Sequence, residues 1–244
     1  MRKQYNLTID EIMRQVVKAE SGGFAEEEIR AAEARLGVKL PAVYRDYLKQ
    51  YGREEINCAF HQLFAPDEIF TSYEQLTKDV AHFAKPDEDD EYWKLSQLPQ
   101  EDWHTITENY VLIWCENQGV WNAGYLLSDL QSGVENPPIY MSDNDDFLSF
   151  FKAWDNTENF LQSMMECAFS EVSEYDMPYR SDAGEINAFL RKNGINKSQL
   201  LRKVNDTVIR GNCLDSDNGL FCMYYSEKQP DFEDMYLIVT EFDF

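Results

Sequence analysis

Histidine is nearly absent from this 244-residue chain: His61, His82 and His104 are the only three. None stands in a ligand or triad pattern, and His82, followed by Phe83, reads as structural. Also missing are the Gly-rich phosphate loop and G-x-G-x-x-G, the G-x-S-x-G elbow, and the H-E-x-x-H and C-x-x-C patterns of metal and redox sites. Common hydrolase, transferase and redox folds leave such traces, so their absence argues against catalysis; no metal and no cofactor is expected. Cysteine is scarce and odd in number, at 58, 115, 167, 213 and 222. These irregular spacings give no disulfide framework, and Cys115, inside the apolar run Val111–Cys115, reads as core. No stretch approaches the ~18 apolar residues of a membrane helix. No apolar segment follows the first residues, so a cytoplasmic location is expected.

Positive charge is the other shortage. Lys and Arg number 22 against 45 Asp and Glu, a net charge of −23. Residues 60–150 carry eighteen acids against Lys78, Lys85 and Lys94, a net of −15, and no Lys or Arg occurs from Leu95 to Phe151. Such a field repels nucleic acid and anionic membrane, and it draws in cationic partners. Acidity also serves solubility. What the chain has in quantity is aromatics, 15 Phe, 14 Tyr and 5 Trp, which a disordered chain of this charge would lack.

Helices are expected over 8–19, with Thr8 and Glu11 as a capping box; over 25–36, stopped by Gly37; and from Leu40-Pro41 to Gly52, carrying Tyr44, Tyr47, Leu48 and Tyr51. The last two form an αα-hairpin. Asp67–Phe70 reads as extended and Tyr73–Phe83 as a helix. Tyr110–Cys115 is the clearest strand, with Val120–Leu127 as its antiparallel partner and Ile139–Met141 as a third. Asn144–Trp154 is expected to be a helix on the spacing of Phe147, Phe150, Phe151 and Trp154, with Asp143–Asp146 as its N-cap cluster. Phe160–Phe169 is helix-like. Beyond it, helices are expected at Ala183–Arg191 and Lys197–Lys203, and strands at Thr207–Leu214, Leu220–Tyr225 and Met235–Phe242. Asn218-Gly219 is a hairpin signal, which explains Asp215–Gly219 better than a calcium loop does, because the spacing fails.

The stretch Glu26–Gly52, EEEIRAAEARLGVKLPAVYRDYLKQYG, resembles the signature of the SUKH superfamily, the cell-wall-assembly-regulator and immunity-protein family. The signature runs through Glu33, Leu36-Gly37, Leu40-Pro41, Tyr44, Tyr47, Leu48 and Tyr51-Gly52. Val111–Trp121 resembles the family's central strand and turn, and Pro138–Tyr140 with Phe147–Phe151 its late strand and closing helix. The resemblance spans roughly residues 20–155. It implies an α+β fold, an antiparallel sheet packed against helices, with no catalytic residues carried over. Residues 1–155 are expected to form this domain with its N-terminal helix, and 156–244 a C-terminal α+β extension.

Bacterial members of the family are mostly immunity proteins that bind a cognate toxin, and fungal members are regulators. The resemblance and the charge together point to an immunity protein neutralising a basic, nuclease-type toxin by direct binding. A regulatory scaffold of the same family is the alternative, and an enzyme without known motifs a third reading. The expected partner-binding residues are Asp87, Glu88, Asp89, Asp90 and Glu91, with Glu116, Asn117, Gln118 and Trp121 at the turn after the central strand. The acidic run also reads as a solvated loop or helix start. Core packing is the leading reading of Trp121, and an interface anchor the alternative.

Overall fold

The computed structural model describes residues 3–20, 22–54, 57, 61–87, 89–116, 118–143, 146–172, 182–229 and 232–241. Strand β1 (Lys3–Tyr5) leads into a turn at Asn6, whose φ of 52° is one that Asn tolerates. Helix α1 (Ile9–Ile12) starts under the expected capping box: Glu11 accepts from the Thr8 N–H at 2.8 Å, and Thr8 accepts from the Glu11 N–H. The helix then widens into a π-turn over Met13–Val17.

Helices α2 (Glu26–Leu36) and α3 (Ala42–Tyr51) form the expected hairpin. Gly37 closes α2 at φ 69°, where a side chain would be strained. Pro41 stands at the N-cap of α3. The facing sides bury Ile29 and Ala32 on α2, and Tyr44, Tyr47, Leu48 and Tyr51 on α3. A buried carboxylate ties the two together: Glu33, 9% exposed, accepts the Leu40 N–H at 2.8 Å and lies 2.5 Å from Arg45. Arg45 also bonds Glu26.

There follow β2 (His61–Leu63), β3 (Phe70–Thr71), α4 (Ser72–Phe83), α5 (Glu91–Ser96) and a 3₁₀ turn over Gln100–Thr105. Then come β4 (Tyr110–Glu116), β5 (Asn122–Leu126), α6 (Leu127–Ser132), β6 (Ile139–Asp143), β7 (Asp146–Trp154) and α7 (Thr157–Val172). The sheet order is β2-β4-β5-β6-β7, all antiparallel, and β3 pairs with β4 on the edge shared with β2. A bulge between Leu112 and Trp114 puts Trp114, Ala123 and Tyr125 on one face. Tyr44 of α3 meets Tyr125 edge-on at 6.0 Å, and Phe160 of α7 meets Trp114 at 6.4 Å. The opposite face carries Tyr110, stacked on Phe150 at 4.0 Å and beside Tyr140. Gly124 sits where strands approach too closely for a side chain: a Cβ there would lie 2.1 Å from the Val111 carbonyl oxygen. A second cluster gathers Leu76, Leu95 and Trp103 with Tyr92, Phe147 and Leu148. The fold is α+β, as the sequence implies.

Residues 146–154 form a strand, not the expected helix. Phe150 turns inward onto Tyr110 while the adjacent Phe151 is 48% exposed, the alternation of a pleated strand. The register slips widely between Ser142 and Asp143, and this irregularity lets the aromatic positions mimic helical spacing. Cys115, expected in the core, is half-buried near the end of β4. Helix α7 follows β7, and its Phe160 meets Trp154 at 5.1 Å.

The second sheet has the order β1-β9-β10-β11, built from β9 (Val208–Asp215), β10 (Leu220–Gln229) and β11 (Phe232–Glu241). Strand β8 (Arg202–Lys203) shares an edge of β9 with β1, where the sequence reading extends a helix. Helices α8 (Ala183–Lys192) and α9 (Lys197–Leu200) precede it. Ile186, Leu190 and Leu200 pack with Cys213, Cys222, Tyr224, Leu237 and Val239 in its core. The expected turn at Asn218-Gly219 joins β9 to β10.

Side-chain pins fasten β1 to this sheet. Lys3 pairs with Asp215, whose side chain is 3% exposed. Leu7 donates its N–H to Asn212 Oδ1 at 2.7 Å, and Asn196 donates its N–H to the Tyr5 hydroxyl at 2.9 Å. Two units thus divide the chain: residues 20–164, and 1–19 with 165–244. The sequence reading puts 1–19 with the first domain; pairing of β1 with β9, which no local signal announces, puts them with the last. Among the described residues, no helix is long and apolar enough to cross a membrane.

Candidate partner-binding face

The acidic run lies between α4 and α5, and its geometry is set by its own carboxylates. Asp90 is the N-cap of α5, with Oδ1 accepting the Tyr92 and Trp93 N–H groups at 2.8 and 3.2 Å. Asp87 accepts the Asp89 N–H on its carboxylate at 3.1 Å. Glu91 is paired with Lys94 at 2.5 Å on the surface, an exposed pair of small energetic value. Asp87, Asp89 and Glu91 are exposed and Asp90 is half-buried. Glu88 lies outside the described residues.

Beside the run stands a feature the sequence reading did not single out. Phe83, in the last turn of α4, is 53% exposed. Its ring is 4.6 Å from His82 and 6.3 Å from Tyr92. The Tyr92 hydroxyl is pushed above its ordinary pKa by partial burial, then by the carboxylates of Asp146, Asp79 and Asp90. Those three acids, from β7, α4 and the loop, therefore sit within electrostatic reach of one aromatic group. The arrangement combines aromatic faces with anionic neighbours, which suits a guanidinium or ammonium group.

The second predicted segment is the β4–β5 turn. Glu116 accepts the Gln118 N–H on Oε2 at 2.9 Å and the Gly119 N–H on its carbonyl at 2.8 Å. Gln118 is exposed, Glu116 half-buried, and Asn117 lies outside the described residues. Trp121 is 42% exposed, so its leading reading as core is overturned. It stands in the β4–β5 turn immediately before β5, with its backbone carbonyl accepting the Glu116 N–H at 2.8 Å.

Asn122 donates its N–H to Ser142 at 2.9 Å, and the next residue, Asp143, pairs with Asp146. Asp146 in turn acts on Tyr92. Asp146, whose Oδ1 accepts the Leu148 N–H at 2.8 Å, belongs to the segment read from sequence as an N-cap cluster. A sequence signal for it existed in the unbroken absence of Lys and Arg from Leu95 to Phe151. Among the described residues no three His, Cys, Asp or Glu side chains gather as metal ligands.

The family model SUKH_6, described as SMI1-KNR4 cell-wall, matches residues 26–161, more than half of the chain. That span lies within the unit 20–164. No curated protein and no solved structure matches the chain.

Proposed function

The chain belongs to the SUKH family, and from this we propose that it is a non-catalytic immunity protein that neutralises a basic toxin by binding it directly. The family includes immunity proteins. The observation that carries the reading is the aromatic-acidic cluster at the acidic run, Phe83 and Tyr92 among Asp79, Asp87, Asp89, Asp90, Glu91 and Asp146, to which we add Glu116 and Trp121 of the β4–β5 turn as a second contact. A toxin that cleaves nucleic acid must present cations to phosphates. An acidic inhibitor occupies the same cations, and its field speeds the encounter. Exposed aromatics supply anchors whose burial resists dissociation.

The test is affinity capture from the native host, followed by kinetics on the captured partner. Asp79, Asp87, Asp89 and Asp146 are changed together to Asn, which keeps the capping oxygens and removes the charge. The expected partner is a basic domain whose toxicity is relieved by co-expression of this chain. Its association rate should fall at least tenfold in the variant at low salt, with a smaller change in dissociation rate. A neutral partner whose binding ignores both salt and variant would replace this reading with the regulatory scaffold.

A further inference from the structure

Cys213 and Cys222 stand directly opposite one another on β9 and β10. Both are free thiols, 1% and 0% exposed. The Lys228 N–H bonds the Thr207 carbonyl at 3.0 Å. Hydrogen-bonded pairs alternate along an antiparallel ladder, so in this register Cys213 and Cys222 are also a hydrogen-bonded pair, with Cα atoms about 5.5 Å apart. A disulfide spans Cα separations of about 4.4–6.8 Å. On its other side Cys213 pairs with Tyr5 of β1.

The surroundings of Cys213 favour a thiolate. Its pKa is lowered first by a hydrogen bond from Cys222, then by the Lys3 ammonium and the Tyr5 hydroxyl, against the opposing effects of burial and Asp215. The Tyr5 oxygen already accepts the Asn196 N–H, which leaves its proton free for the sulfur. Cys222 is held protonated by the same contact and by burial. Neither sulfur is exposed, so a small oxidant reaches the pair when the ladder opens locally.

We propose that Cys213 and Cys222 form a peroxide-oxidisable pair that closes a reversible disulfide across the β9–β10 hairpin. The Cys213 thiolate attacks one oxygen of hydrogen peroxide and the O–O bond breaks. The departing hydroxide becomes water with the proton Cys213 has lost. Cys222 sulfur then attacks the resulting sulfenic acid; the S–O bond breaks, the S–S bond forms, and a second water leaves with the Cys222 proton. Two thiols are oxidised, and one peroxide is reduced to two waters. A thiol reductant reverses the bond by exchange. The bond staples the two central strands of the sheet that holds β1.

The experiment uses the full native chain, treated with hydrogen peroxide, alkylated after denaturation and digested with trypsin. Residues 211–228 contain both cysteines and no internal Lys or Arg, so they leave as one peptide. That peptide should lose two hydrogens, carry no alkyl group, and regain two alkylation sites after dithiothreitol. In the Cys222→Ser variant, Cys213 should stop at a sulfenic acid that dimedone traps. Recovery of both thiols intact overturns the proposal. So does oxidation straight to sulfinic or sulfonic acid, or pairing with Cys58, Cys115 or Cys167 instead.

Discussion

Glu33 is the residue through which the α2–α3 hairpin is most easily broken. Replacing it with Ala removes the acceptor of the Leu40 N–H, on a residue 3% exposed. An orphaned buried donor costs about 1–3 kcal/mol. The change also strips Arg45 of one carboxylate. Arg45 keeps Glu26, and its side chain is 21% exposed, so the loss falls short of the roughly 3–5 kcal/mol of a fully broken buried pair. The expected destabilisation is about 3 kcal/mol. Glu33→Gln keeps an acceptor for Leu40 and gives up only the charge, so about 1 kcal/mol is expected. The assay follows from the sequence: all five Trp, at 93, 103, 114, 121 and 154, lie in the unit 20–164. Tryptophan fluorescence in urea therefore reports this unit alone. With a slope of about 2 kcal/mol/M, Glu33→Ala should lower the midpoint by about 1.5 M and Glu33→Gln by about 0.5 M. Equal effects of the two variants would refute the claim that Glu33 works chiefly as an acceptor. Shifts near zero for both would refute its role in the hairpin.

Stability of the unit that holds β1 should depend on pH at both extremes. Burial works to raise the Asp215 pKa, but the Lys3 and Asn218 bonds outweigh it and hold the group below its ordinary value; its contribution is lost as pH falls below about 4. Lys3 is raised, chiefly by the Asp215 bond; its contribution is present at neutral pH and lost as pH climbs past its raised value. Far-UV circular dichroism melts should show both limbs, and Lys3→Met should flatten them; limbs unchanged in that variant would disprove the assignment. Trp121→Ala should change the tryptophan-reported stability by no more than about 0.5 kcal/mol, as for exposed sites. The same change should weaken partner binding at least tenfold in a calorimetric titration, and a large loss of stability would return Trp121 to the core.

What the sequence made legible was chemistry that acts over a few residues. The Thr8–Glu11 capping box, Gly37, the turn at Asn218-Gly219 and the helix at Tyr73–Phe83 all rest on local hydrogen bonds or spacing. The strand β7 was misread because Phe147, Phe150, Phe151 and Trp154 fit a helical stripe as well as an interrupted pleat. The strand answer depends on Tyr110, far away in sequence. Strand β1 was missed for the same reason, since three residues gain a partner only across the chain. The acidic run and the β4–β5 turn were visible as charge and turn chemistry. Phe83 was not, because exposure at the end of a helix is set by packing; Asp146 was visible as charge, but its effect on Tyr92 comes from the tertiary fold. Trp121 shows the limit most plainly: its aromatic character pointed inward, and its place in the β4–β5 turn leaves it 42% exposed.

Strand β1 is made well before the strand it pairs with. Lys3 and Asp215 are 212 positions apart, so at about 5–20 residues per second the ribosome needs roughly 10–40 s to deliver the partner. By then the whole of residues 20–164 has been synthesised, while the sheet that holds β1 still lacks β9. A change to residues 3–7 therefore acts on a sheet whose other strands lie within residues 202–241. A piece cut to residues 165–244 would expose the edge of β9 to foreign strands, whereas joining residue 19 directly to residue 165 would leave every strand of that sheet in place.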